Sequence, residues 1–582
     1  MEILSFSSFG YEGELIKVEA DLRRGLPVID IVGLPGSAVK EARDRMRAAI
    51  RNSGLEFPVS RILINLSPAD QKKEGSGFDL PIAVAVLTAK EAEKNSETIK
   101  AKAQTIILTD YPKDRPTGVP TDDLTDDSTD KKSVMIMGEL ELSGRVRPVR
   151  GLIGAISAAR SQGIKYFIVP KENEAEALIE DGINVFGVSD LIEALEFFYK
   201  IENGELNKKN HIEKKETLHN TGTAPLFVWS GTEKQEDFDF EKDSKKGLGL
   251  VRGFEDIRGQ DGLIRALEIA AAGGHNLIAY GPPGCGKTLS LSRFPLLLPD
   301  MDEKTSMETT RIYSIAGLLP QSIQKDRLLK RPPFRSPSQN ASMEGIIGGA
   351  GKCMPGEVSL AHGGVLFLDE AAQFKTSVLQ SLRAPLETGS VTLSRAGRSS
   401  TFPARFQLLL AINPCPCGNF GSSGKVCTCL PYEIEKYWKK LTAPLLDRID
   451  IRVPVMPPKP ENILAEAKYS TETMRQKIKN ARLIQWERLT FVNREKKVQN
   501  IIYENAKLSP QETAEVCKMS CEAERFFSAI VEAKKLSGRG SHALLKISRT
   551  IADIESNQNI SLAHIEEAAA LRQWIKYLPD FL

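Results

Sequence analysis

Residues 277–288 read Leu277-Ile278-Ala279-Tyr280-Gly281-Pro282-Pro283-Gly284-Cys285-Gly286-Lys287-Thr288, and 289–294 continue Leu-Ser-Leu-Ser-Arg-Phe. The first four residues predict a short apolar strand, the next eight a glycine-rich loop and the last six a helix. That order is the context a phosphate-binding loop requires. The glycines let backbone N–H groups turn inward around phosphate oxygens, and the helix N-terminus adds its positive end. Gly281, Pro282, Pro283, Gly284, Cys285, Gly286, Lys287 and Thr288 are therefore expected to hold ATP. Lys287 is expected on the β- and γ-phosphates, and Thr288 on Mg²⁺ through its hydroxyl.

Three further strands extend the reading. Residues 365–370 are Val-Leu-Phe-Leu-Asp-Glu. Four apolar residues predict a buried parallel strand, with carboxylates at the end where open α/β sheets bind ligands. Asp369 is expected to organise Mg²⁺ and Glu370 to activate the attacking water. Residues 406–412 predict a strand ending at Asn413, whose amide can bond the water or the γ-phosphate. Residues 449–455 predict another, preceded by Arg448. That arginine reads either as a cation for a neighbouring subunit's γ-phosphate or as a surface ion pair with Asp447 or Asp450. The class is α/β.

Between these strands, residues 415–418 are Cys-Pro-Cys-Gly and 427–429 are Cys-Thr-Cys. Cys415, Cys417, Cys427 and Cys429 offer four thiolates, the donor set of a closed, structural Zn²⁺ site. Pro416 and Gly418 favour the tight turn such a knuckle needs. Cys517 and Cys521, at helical spacing, read as core.

The chain has 582 residues, 41% hydrophobic and 26% charged, with a net charge of +2. That length exceeds a single core, and that charge supplies no global basic field for nucleic acid. No run approaches the ~18 apolar residues needed to span a membrane, and the first residues lack a leader pattern. A cytoplasmic protein with no membrane partner is expected. Eight cysteines in that setting argue for thiols or metal ligands.

Residues 1–200 alternate strand and helix: strand over 15–32, helix over 37–53, strand over 61–66, helix over 79–92, a resumed pattern at 134–142, a helix from Leu152, a strand over 166–169 and a helix over 190–199. The helix over 37–53 carries Val39, Ala42, Met46 and Ile50 at helical spacing. Residues 95–132 read as an insertion, acidic and flexible toward its end, and 201–252 as a polar linker. Residues 253–460 form the nucleotide-binding core, with the cysteine insertion at 415–429, and 461–582 a helical C-terminal domain.

At this point the motifs are recognisable. The stretches 256–276 (DIRGQDGLIRALEIAAAGGHN), 355–370 (PGEVSLAHGGVLFLDE), 412–418 (INPCPCG), 445–451 (LLDRIDI), 65–84 (NLSPADQKKEGSGFDLPIAV) and 138–151 (GELELSGRVRPVRG) resemble the ComM/YifB family of magnesium-chelatase-like AAA+ ATPases. The resemblance implies an AAA+ P-loop domain with a helical lid, preceded by an α+β domain like those of Lon proteases and ribosomal protein S5 domain 2. It implies Asn413 as first sensor, Arg448 as trans-acting arginine finger and Arg539 as second sensor, with Arg549 the alternative. It implies a homo-hexameric ring with hairpins at 345–357 and 391–402. In related ring helicases such hairpins grip DNA. Lys352, Arg395 and Arg398 are the basic candidates here, against the plainer reading as solvated turn charges. Two departures stand out: Ala371-Ala372-Gln373 where the family usually has Leu-Pro-Glu, and Ser336-Pro337-Ser338-Gln339 where it usually has Ala-Pro-His-His.

The first domain invites a protease reading, but Gly77 stands where the nucleophile of a Ser–Lys pair would be, with Ser76 one residue away. Arg61, Lys72 and Lys73 are candidate phosphate contacts there, or a solvated face. The expected function is an ATP-driven DNA translocase or branch-migration helicase in recombination or natural transformation. The alternative is a chelatase-like ATPase that remodels a protein partner for metal insertion.

Overall fold

The computed structural model describes residues 1–70, 72–107, 132–205, 253–320, 328–349, 353–395, 398–420, 425–463, 466, 468–496 and 503–572. The acidic stretch and nearly all of the linker fall outside these residues. The described residues divide into two compact units, one within Met1–Glu216 and Tyr313–Leu328, the other within Thr217–Ile312 and Leu329–Leu582.

The first unit is a seven-stranded mixed sheet. Its strands are β1 (Glu2–Phe9), β2 (Glu12–Arg23), β3 (Ile29–Val32), β4 (Arg61–Ser67), β5 (Ser133–Ile136), β8 (Tyr166–Pro170) and β9 (Asn184–Val188), ordered β3-β4-β2-β1-β5-β8-β9; the short strands β6 (Glu139–Leu140) and β7 (Val146–Arg147) pair separately. Strand β1 is central yet was not anticipated. Its inward positions include Ser5 and Ser7, both buried, and polar residues there erase the alternation that marks a strand. The expected strand over 15–32 is two strands, antiparallel β2 and parallel β3 on either side of β4. The helix Ser37–Asn52 buries Val39, Ala42, Met46 and Ile50 as their spacing requires. The helix Asp79–Ile107 runs well past 92, because its Lys-, Glu- and Ala-rich continuation favours helix and has no Gly or Pro to stop it. Likewise the helix Leu191–Asn203 extends into the expected linker.

The second unit is built on a five-stranded sheet, all parallel, in the order β11-β14-β17-β10-β18: β10 (Leu277–Tyr280), β11 (Phe334–Arg335), β14 (Val365–Leu368), β17 (Gln407–Ile412) and β18 (Ile451–Pro454). Two hairpins flank β14 in sequence, β12 (Gly348–Gly349) with β13 (Met354–Pro355), and β15 (Ser390–Arg395) with β16 (Arg398–Pro403). Only β11 lacked a signal, since two residues behind a pair of prolines show no periodicity. The helices Thr471–Lys496, Gly538–Ile554 and Leu562–Ala570 share one apolar core with the sheet, in which Ile478, Leu544, Ile547 and Ile565 join Leu277, Phe367 and Leu409. Asp553, fully buried, ties the first two of these helices and the turn at Asn505 together by accepting from Arg488, Asn505 and Arg549. Cys517 and Cys521 do not share a helix: Cys517 caps one and is buried, while Cys521 opens the next and is exposed.

Candidate functional site

Parallel strands end on one edge, and the loops that leave β10, β14 and β17 there bring four groups together. Gly284 and Gly286 take φ of 78° and 88°, which a side chain would oppose, so the loop after β10 can curl back on itself. The Lys287 ammonium lies inside that curl, 2.6 Å from the Gly281 carbonyl, 2.8 Å from that of Pro282 and 3.2 Å from Asn413 Oδ1. Burial pulls the Lys287 pKa below its ordinary value, against the opposing pull of Cys285, Asp369 and Glu370. Thr288 Oγ1 donates to Asp369, 3.1 and 3.3 Å from its two oxygens. Lysine, hydroxyl, carboxylate and amide thus converge where a nucleotide's phosphates and their cation would sit.

Glu370, the other carboxylate of that strand end, is held by two side-chain amides. Its backbone is left-handed at φ 50° and ψ 46°, a conformation non-glycine residues avoid. One oxygen, Oε2, accepts from two amides, Gln339 Nε2 at 2.6 Å and Gln373 Nε2 at 2.7 Å. Both glutamines belong to the two departures noted in the sequence, though nothing there showed that they meet.

Arg448 and Arg539 lie at the opposite edge. The Arg448 carbonyl accepts from Asn276, the residue just before β10, at 2.9 Å. The β10–β18 register runs from Leu277↔Ile451 to Tyr280↔Pro454, so Arg448 precedes the strands while Lys287 follows them. About 13 Å of strand separates the two edges, at roughly 3.3 Å per residue. Arg448 does not pair with Asp447 or Asp450. It is bonded to Glu387, and Arg539 reaches the same carboxylate at 2.9 Å. The two guanidiniums, Arg448 first, hold the Glu387 carboxyl below its usual range. A cleft of about 250 Å³ opens there, lined in part by Glu387, Arg448, Arg539, His542 and Lys546. His275 joins the two arginine-bearing segments, its Nδ1 2.9 Å from Asp450 and its Nε2 2.9 Å from Thr550. Glu387 and His275 had no sequence signal, since their partners are far away in the chain. Arg549 is placed differently: buried, it bonds Asp553 and the carbonyls of Asn557 and Gln558, closing its own helix.

The cysteine knuckle adjoins the nucleotide loop. The four sulfurs of Cys415, Cys417, Cys427 and Cys429 lie within 4.8 Å of one another, three of the separations being 3.3, 3.6 and 3.7 Å. Tetrahedral Zn²⁺ with ~2.3 Å bonds to sulfur needs sulfurs roughly 3.8 Å apart. Backbone N–H groups of Phe420 and Cys417 point at Cys415 and Cys429, as thiolate sulfurs require. Gly418, at φ 79°, sits so close to the loop that a Cβ there would lie 2.9 Å from Pro283 Cδ.

The remaining candidates fall in several places. Arg395 is exposed at a hairpin tip opposite Arg398, and Leu393 of that hairpin lies near Gly348 of the other. Lys352 lies outside the described residues. In the first unit Lys73 is fully buried and donates to the Pro68 carbonyl, so it is no phosphate contact. The bridge between Pro35 and Lys73 pins that backbone with its side chain inward. Arg61 pairs with Asp30 at 2.8 Å and Lys72 with Glu74 at 2.6 Å. Ser76 is bonded to Glu139.

Comparison with known proteins agrees in extent. Residues 253–463 match the family Magnesium chelatase, subunit ChlI; residues 18–111 and 119–173 match Subunit ChlI of Mg-chelatase; residues 468–572 match Magnesium chelatase, subunit ChlI C-terminal. The chain is 35% identical to Uncharacterized protein YifB of Escherichia coli over 97% of this chain and 96% of that one. It is 34% identical to Competence protein ComM of Haemophilus influenzae over 99% and 98%. A stretch covering 28% of the chain is 25% identical to 16% of the Lon protease of Geobacter metallireducens. Among the described residues no helix is long and apolar enough to cross a membrane.

Proposed function

The chain belongs to the ComM/YifB family of magnesium-chelatase-like AAA+ ATPases, and from that premise we propose that it is a homo-hexameric ring motor that uses ATP hydrolysis to translocate on DNA. Branch migration in recombination or transformation is the process this serves, in keeping with the name of its competence relative. Lys287 and the loop bind the phosphates, Thr288 and Asp369 hold Mg²⁺, Glu370 activates water, and Asn413 orients it. The observation that carries the ring is the placement of Arg448 and Arg539 at the edge away from Lys287. They serve a neighbour's nucleotide, so a lone subunit has only half a site. The DNA part rests on the two adjoining hairpins, with Arg395 and Arg398 presented at one tip.

The test is ATP turnover by the full chain with and without single-stranded and forked DNA. Stimulation by DNA is expected, with strong salt dependence because phosphate contacts release counterions. Turnover indifferent to every DNA, together with no detectable DNA binding, would favour the second reading. That reading, a chelatase-like remodeller of a protein partner, is supported by the matches to chelatase subunit ChlI along the chain.

Zn²⁺ belongs to the proposal as a structural ion, since four thiolates leave no open position. Purified protein is expected to carry about one Zn²⁺ per chain. Cys417→Ser should lower metal content and melting temperature together, because metal binding is linked to folding. Since Gly418 abuts Pro283, it should also weaken nucleotide binding. Zinc-free protein from a chelator-free preparation, with unchanged melting, would remove the ion.

A further inference from the structure

We propose that the outer face of the cysteine knuckle, built by Val426, Leu430 and Tyr432, is a docking surface for a second copy of this chain, which meets it with the edge that carries Arg448 and Arg539. The inference deepens the ring reading and rests on it. Exposure alternates along the second arm of the knuckle: Val426, Thr428 and Leu430 are exposed, while Cys427 and Cys429 are half-buried. That is the alternation of an extended chain. Turning both sulfurs inward, toward those of Cys415 and Cys417, turns Val426 and Leu430 out. Val426 is 83% exposed, Leu430 55% and Tyr432 61%. Single exposed apolar side chains need no explanation, but three this close together on one knuckle make a face.

The face is fixed to the phosphate-loop edge of the sheet from two sides. On one side, the helix Pro431–Lys439 follows directly on Leu430 and buries Ile434, Tyr437 and Trp438. The Trp438 indole N–H donates to the Pro414 carbonyl at 2.9 Å, and its ring meets Tyr280 edge-on with centroids 6.4 Å apart. Tyr280 ends β10, immediately before Gly281 of the loop. On the other side, Gly418 lies against Pro283. The knuckle therefore belongs to the edge of Lys287.

The occupant follows from where the arginines are. Arg448 and Arg539 reach a nucleotide only when their edge of one copy is laid against the phosphate-loop edge of the next. Such a head-to-tail contact, repeated, closes a ring, and the surface beside the phosphate loop is the one that the neighbour covers. The arriving edge brings apolar groups of its own, since Leu386 and Ala543 line the cleft beside the two arginines. Residues 426–432 contain no charge, which suits a protein surface and gives a DNA backbone nothing to pair with. Covering the stripe also keeps water from the shared site.

The experiment is the ATPase rate per chain as a function of chain concentration, with sedimentation velocity on the same samples, for the full chain and for Val426→Ser, Leu430→Ser and Tyr432→Ser. The concentration of half-maximal rate should rise by roughly tenfold for each anchor removed, the scale of one truncated anchor at an interface. The rate should return to the wild-type plateau at high concentration, with zinc content and melting temperature unchanged. A merely structural role would instead lower the melting temperature or the plateau. Variants that assemble and turn over at wild-type concentrations overturn the proposal. So do intact rings that lose only their affinity for an oligothymidine strand, because the stripe would then serve DNA. A photo-crosslinking phenylalanine analogue at position 432 gives a second measurement in the assembled wild-type background. Its adduct should join two copies, with the captured peptide covering Leu386 or Ala543. A peptide from elsewhere, or no adduct between copies, overturns the assignment. Failure of the ring reading looks different: the wild-type chain itself would sediment as a monomer, with a rate per chain independent of concentration.

Discussion

A chain carrying Glu370→Gln is expected to bind ATP as tightly as the wild type and to hydrolyse it about 10²–10⁴ times more slowly, the range that a positioned general base contributes. The substitution preserves shape and leaves the cradle of Lys287, Thr288 and Asp369 as it is. On the proposed function, it removes only the oxygen that would take the proton from water. Lys287→Ala should fail at the earlier step. Its ammonium is the charge inside the loop, bonded to the carbonyls of Gly281 and Pro282, and its loss removes a charge-assisted contact to phosphate. Equilibrium binding of a fluorescent ATP analogue beside single-turnover hydrolysis separates the two phenotypes. Wild-type turnover by Glu370→Gln would assign the base elsewhere.

Arg448→Ala should be inactive for a different reason, and only as an assembly. Its own loop is intact and lies across the sheet, so it should still bind ATP. Loss of an arginine finger costs roughly 10³–10⁵ in rate. Mixed with Glu370→Gln chains, it should recover part of the activity. At a mixed interface the Glu370→Gln subunit supplies its arginine to the Arg448→Ala subunit's intact base and loop. The measurement is ATPase of the mixture after subunit exchange, compared with the sum of the two parents. No recovery in rings shown to be mixed would place Arg448 outside a shared site, or show that a site fires only beside intact neighbours. Full activity of the Arg448→Ala chain alone would take it out of the mechanism.

What could be read from the sequence was whatever is written in contiguous residues. The phosphate loop, the Val365–Leu368 strand with its two acids, and the paired cysteines are each specified within fifteen residues. Their chemistry follows from local spacing and the strand or turn that carries it. The same holds for the helix Ser37–Asn52, whose buried positions recur at its own period. Long-range neighbours were not legible. Whether Lys73 points out or in depends on a bridge to Pro35, and the central place of β1 depends on β2 and β5 arriving at either side. Arg448, Arg539 and Glu387 meet across gaps of 61 and 152 residues. Only the parallel sheet decides that they gather at the edge opposite Lys287. Gln339 and Gln373 could be seen in the sequence as departures, but not as partners of one oxygen. A side chain's identity states what it can donate or accept, and the fold states which group is within 3 Å to receive it.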